Sequence, residues 1–160
     1  MPGATIRATA QEADRSGRSV ARTAPEPTIR LYHPGDGDAL RAIWTAAGFR
    51  LIGDDDAGLD TFARRNPETF LVAADGDRIV GSAMGAWDGR RGWLYHVAVV
   101  PELRRMGLGS ALVGAVEAAL RAAGCRRVLV LVEAANEPAL SFWAARGYVP
   151  RDTRQLAKSL

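Results

Sequence analysis

The strongest constraint in this sequence is a change of hydrophobic period at Pro101. Before it, residues 93–100 run apolar in the manner of a strand. After it, Leu108, Leu112, Val116, Ala119, Leu120 and Ala123 recur at helical spacing, and the pattern stops at Gly124. Between the two lies Arg104-Arg105-Met106-Gly107-Leu108-Gly109-Ser110, so a strand must stop and a helix must start around two glycines. Neither glycine carries a Cβ, and the first N–H groups of any helix lack intrahelical partners. With the positive end of the helix dipole and the charges of Arg104 and Arg105, these donors form an anion site. A flexible turn into a helix would use the same glycines, so the meaning of the loop depends on its surroundings.

The 160 residues, 48% of them hydrophobic, suffice for one domain around one sheet. Residues 1–28 hold Pro2, Gly3, Pro25 and Pro27 with no apolar periodicity, which predicts a disordered arm ahead of a domain over 29–160. Ile29 and Leu31 alternate with Arg30 and Tyr32 as a strand, and Ala39, Leu40, Ile43, Trp44 and Ala47 form a helical stripe closed by Gly48. Residues 49–67 are polar and loop-like, with a short helix over 59–65. Two strand runs, 69–74 and 78–87, flank Asp75-Gly76-Asp77, a hairpin turn signal, and Asp88-Gly89 leads into the third run, so 69–100 is a three-stranded meander. Beyond the secure helix come a buried strand at 128–132, a short helix at 137–146, and a return to strand from Tyr148.

The same reading excludes several classes. No run approaches the roughly 18 apolar residues of a membrane span, and residues 1–9 lack the apolar stretch of a secretion signal, so a cytoplasmic protein is expected. The single Cys125 cannot form an internal disulfide and reads as a half-buried structural thiol. The net charge of +3 comes from interspersed arginines and acids without a dense basic block, so no nucleic acid is expected. The loop lacks the Lys-Ser/Thr ending of an NTPase phosphate loop and the three glycines of a dinucleotide fingerprint.

Val97-Ala98-Val99, then Pro101 and Arg104-x-x-Gly107-x-Gly109, resembles the acetyl-CoA motif Gln/Arg-x-x-Gly-x-Gly/Ala of the GNAT superfamily of N-acetyltransferases. Asn136-x-x-Ala139, the aromatic at 143 and Gly147-Tyr148 resemble the family's second cofactor segment, and the hairpin 87–92 is similar to that of small bacterial members. The resemblance implies the α/β (α+β) class: a mixed, mostly antiparallel central sheet of about six strands with helices on both faces. It implies transfer of an acetyl group from acetyl-CoA to a primary amine by direct attack, without a covalent enzyme intermediate. Backbone amides of Arg105, Met106, Gly107, Leu108, Gly109 and Ser110 would hold the pyrophosphate, with Arg104 adding charge. Main-chain groups of Val97, Ala98 and Val99 would pair with the pantetheine arm, Asn136 would contact it, and a backbone N–H near Val99 would polarise the thioester carbonyl.

One departure concerns the proton for the leaving thiolate. Many members carry a tyrosine seven residues after this Asn, and here it is Trp143, whose indole N–H cannot serve as an acid near neutral pH; it is equally a cofactor contact or a core aromatic. Strand alternation puts Trp93, Tyr95, Val97 and Val99 on one face, so Tyr95 is the candidate base and His96 faces away. His33 has no partner in its turn. Asp54-Asp55-Asp56 reads as a solvated loop whose carboxylates diverge rather than a metal site, with a role in attracting cationic acceptors as the alternative. The competing functions are a non-catalytic acyl-CoA sensor and nucleic-acid binding through the arm. Acceptor identity has no signature in the sequence, and a homodimer is left open.

Overall fold

A computed structural model describes residues 26–159, so most of the arm expected over 1–28 lies outside the described residues. The order of elements is β1 (Thr28–Leu31), α1 (Gly37–Ala46), α2 (Asp56–Arg65), β2 (Phe70–Asp75), β3 (Arg78–Trp87), β4 (Gly92–Val99), a 3-10 turn (Pro101–Leu103), α3 (Leu108–Ala122), β5 (Val128–Val130) and α4 (Glu137–Ala144). The sheet runs β1-β2-β3-β4-β5. All neighbours are antiparallel except β4 and β5, which α3 joins as a parallel crossover.

Two-residue alternation along β2 divides the interior into two layers. Leu71 and Ala73 meet Leu112, Val113, Val116 and Leu120 of α3, together with Trp143 of α4. Phe70, Val72 and Ala74 meet Leu40 and Trp44 of α1 and Leu59 of α2. Leu112, Val116 and Leu120 are fully buried, and truncating one such side chain costs about 2–5 kcal/mol. The period change at Pro101 therefore marks the point where a strand inside the sheet becomes the helix that covers it.

Two expectations are corrected. The sheet has five strands, because residues 149–159 form none. Pro150 has no N–H for a ladder, and Val149 and Leu156 stay exposed among charged neighbours, so the segment offers no apolar face to bury. The second correction concerns β4. Ser82 pairs with Ala98 while Met84 pairs with Tyr95, so Ala83 alone opposes both His96 and Val97. This bulge, with His96 at φ 46°, breaks the alternation. Tyr95 packs toward Phe62 of α2 at a centroid distance of 6.2 Å, and His96 packs on Trp44 at 4.4 Å. Val97 and Val99 enter the α3 layer instead. Tyr95 and His96 therefore share the α1/α2 side, and His96 does not face away.

Candidate active site

β4 and β5 pair only through Gly92, Trp93 and Leu94 against Val128, Leu129 and Val130. From Tyr95 onward that edge of β4 has no strand partner among the described residues, so the sheet opens between the two strands. Val100 N–H donates to Val80 C=O on β3 at 2.9 Å, so by alternation the peptide groups of Val97 and Val99 face the opening. Arg104 Nε donates to the Val99 carbonyl from that side at 2.9 Å, which ties the glycine loop to the open edge.

The loop itself leaves backbone donors open. Gly107 is the N-cap of α3 with φ 88°, a conformation that needs glycine, and no side chain caps the helix. Arg105 also sits at positive φ, 65°, a strained setting of the kind that clusters at ligand sites. The first backbone bond into α3 runs from Ala111 N–H to Gly107 C=O, and the N–H groups of 105–110 find no acceptor among the described residues. Six consecutive donors at the positive end of a helix are thus open to an acceptor from outside. A Cβ on Gly109 would stand 3.3 Å from Phe142 Cε2, so this second glycine also lets α4 approach α3.

α4 carries Asn136 and Trp143. Asn136 Oδ1 caps the helix by accepting from Ala139 N–H at 3.1 Å, and its Nδ2 makes no hydrogen bond to a described residue. Trp143 is 7% exposed, edge-on to Phe142 at 5.0 Å and to Tyr148 at 4.9 Å. Of its two possible roles the core one has the geometry, since burial leaves little ring surface for a ligand. Tyr148 donates its hydroxyl to Glu117 at 2.7 Å, and burial followed by that carboxylate pushes its pKa well above the ordinary tyrosine range.

On the other side of the opening, Tyr95 is 38% exposed, and burial together with Asp88 raises its pKa, so the phenol stays protonated. His96 lies between Trp44 and Phe49, whose centroid is 5.1 Å away. Its Nε2 is 3.5 Å from Asp54 Oδ2, with the two side chains 17% and 9% exposed. Burial lowers the histidine pKa, and Asp54 opposes that only in part. The three aspartates do diverge: Asp54 accepts from Ile52 N–H, Asp55 caps α2 at Gly58 N–H, and Asp56 pairs with Arg41 at 2.8 Å. They line a cleft of about 370 Å³ with Arg41, Leu51 and Gly53. His33 stays apart from the opening, its N–H bonded to Asp36. The pairing of Asp54 with His96 escaped the sequence reading, because it joins two distant segments through a bulge that no residue pattern announces.

The sheet thus opens beside the uncapped start of a glycine-led helix, with aromatic residues across the opening. The profile of the acetyltransferase (GNAT) family matches residues 37–148, and the chain belongs to that family; it is an N-acetyltransferase. It is similar to an acetyltransferase of Yersinia enterocolitica, 32% identical over 133 residues that span 82% of this chain and 94% of the relative. Among solved structures it is similar to Ard1 from Thermoplasma volcanium, at 27% identity and a TM-score of 0.70, covering 78% of this chain and 83% of that one. The PaiA N-acetyltransferase from Thermoplasma acidophilum, solved in complex with coenzyme A, shares the fold at 19% identity and a TM-score of 0.70, covering 80% and 92%. No helix among the described residues is long and apolar enough to cross a membrane.

Proposed function

We propose that this chain moves an acetyl group from acetyl-CoA to a primary amine by direct attack within a ternary complex. The observation that carries the reading is the run of six N–H groups, 105–110, left without acceptors at the start of α3 and tied by Arg104 to the open edge of β4. Those donors suit a pyrophosphate. The outward peptide groups of Val97 and Val99, on either side of Ala98, suit an extended amide-bearing arm, which adds to β4 where β5 has left it. Asn136 Nδ2 is the side-chain donor nearest in role to the same arm. The Val99 N–H faces the opening and is the donor for the oxyanion as the thioester carbonyl is attacked. Tyr95, protonated at the mouth, serves as a hydrogen-bond donor rather than a base.

The acceptor follows from which amines are nucleophilic at neutral pH. A lysine side chain with pKa near 10.4 is neutral in about one molecule in two thousand at pH 7, and an α-amine in about one in six to eleven. Without a base strong enough to deprotonate a lysine ammonium before attack, the preferred substrates are α-amines, of peptide N-termini or small metabolites. The test is thiol release with acetyl-CoA over a panel of α-amines, lysine side chains and polyamines, beside calorimetry on wild type and Gly107→Val. A Cβ at Gly107 meets nothing within 4 Å, so the variant loses about 1–2 kcal/mol to backbone strain yet folds. Loss of acetyl-CoA binding in the folded variant is expected, and unchanged affinity would overturn the reading. Binding without thiol release for any amine would point to a sensor instead.

A further inference from the structure

The mechanism above leaves one proton without a destination. When a neutral amine adds to the thioester, its nitrogen becomes an ammonium, and collapse of the adduct to products requires that proton to leave. The structure contains one group on the acceptor side whose ordinary pKa suits the task and which the reading has not used.

His96 occupies the bulge in β4, beside Val97 and past the last β4–β5 pair, where the sheet opens. Its main chain is held in the left-handed region, at φ 46°, and its carbonyl accepts from the Ser82 hydroxyl at 2.7 Å. Ser82 in turn accepts from Trp44 Nε1 at 2.8 Å, so strand, bulge and α1 are locked together. The ring is clamped by Trp44 of α1 and Phe49 of the following loop, both apolar, and Asp54 is the one charged group that faces it. Nε2 is buried and lacks a hydrogen bond of good length, with Asp54 Oδ2 at 3.5 Å as its neighbour; Nδ1 is not among the buried unpartnered atoms. A carboxylate beside Nε2 favours the tautomer with its proton there, which leaves the Nδ1 lone pair free, the logic by which an acid orients a catalytic imidazole.

We propose that His96, oriented by Asp54, is the base that takes the acceptor's proton. The inference rests on the acetyl-transfer reading above. The nitrogen lone pair of the neutral amine attacks the carbonyl carbon, and the adduct's ammonium proton passes to His96 Nδ1. The C–S bond then breaks with its electron pair on sulfur, and the thiolate takes the proton from the imidazolium. Amine and thioester thereby give amide and thiol, with histidine returned to its starting state. Asp54 is a positioning residue: it touches the ring and not the substrate. Because burial keeps the imidazole neutral at pH 7, the base is ready without first losing a proton.

The test uses His96→Asn, which tolerates positive φ, and Asp54→Asn, each on the full chain. His96→Asn should lower kcat by about 10²- to 10⁴-fold with acetyl-CoA affinity unchanged, and should remove the acid limb of the kcat profile. Asp54→Asn removes the charge that raises the imidazole pKa, so its acid limb should move to lower pH, a change that a merely structural role would not produce. A wild-type rate and limb in folded His96→Asn would overturn the proposal. Should that variant not fold, an unmoved limb in Asp54→Asn would overturn it. NMR titration of the two histidines, without any substrate, reads the Asp54 effect on the His96 pKa by itself. Failure of acetyl-CoA binding in wild type would instead strike the acetyl-transfer reading, leaving the titration result standing.

Discussion

Trp143 and His96 show how burial assigns roles to single residues. The Trp143 ring lies in the α3 layer, and the tyrosine nearest to it is held by Glu117, so neither is poised to release a proton. Trp143→Phe should therefore lower thermal stability, through lost volume in a packed core, while kcat changes by no more than about threefold. A drop in kcat of the size typical of a lost general acid, about 10²-fold or more, would return that role to the indole. His96 makes a prediction about pH. Its folded pKa lies below the ordinary 6.5, chiefly through burial, so the unfolded chain binds a proton first as pH falls. Stability should be full above about pH 6.5 and decline below it, and His96→Asn should flatten that part of a melting-temperature profile. An identical decline in the variant would assign it to another group.

Among the elements, α4 carries a side chain that caps its helix and is proposed to serve a ligand as well. Asn136 uses its carbonyl oxygen to cap the helix and leaves its amide nitrogen unengaged. The two uses separate by substitution. Asn136→Asp keeps an accepting oxygen and should melt with wild type, yet bind acetyl-CoA more weakly, since the amide donor is gone. Asn136→Ala should lose about 1 kcal/mol of stability as well. Equal acetyl-CoA affinity in Asn136→Asp and wild type would confine this residue to capping. α3 divides differently: its apolar stripe builds the core, while its uncapped start faces outward. The stability of the helix thus comes from a stripe along its length, and its open N–H groups from its first turn.

At the scale of the molecule, the first described strand begins at Thr28, where β1 pairs Thr28 with Ala74 and Leu31 with Leu71 at the sheet edge. A chain beginning at Thr28 should keep the wild-type melting temperature and acetyl-CoA affinity, because every layer contact described here is then retained. A loss of several degrees would show that the preceding residues dock on the domain. The two layers also divide the labour of the proposed reaction. The α3 and α4 side carries the groups assigned to the cofactor, the α1 and α2 side carries Tyr95, His96 and the Asp54 loop, and the opening between β4 and β5 is where the two meet.

The meander, the crossover helix and the glycine loop were legible in the sequence, because each rests on local rules. Period two gives a strand, period 3.6 gives a helix, and Gly107 announces a backbone turn that other residues resist. The course of the chain over 97–110, from strand through turn to helix, was legible for the same reason, since it is one continuous segment. The acceptor side was not. Alternation placed His96 on the wrong face, because a bulge inserts one residue through pairing with a neighbouring strand and leaves no mark in the composition of its own. The strand expected after Tyr148 failed on a similar point: a strand exists only with a partner edge and a face to bury, and Pro150 with its charged neighbours supplies neither. By itself, then, the sequence determined where chain direction and period change, and with them the glycine loop at the start of α3. The tertiary structure alone decided that Asp54 meets His96, because contacts between distant segments depend on register, and register is a property of the assembled sheet.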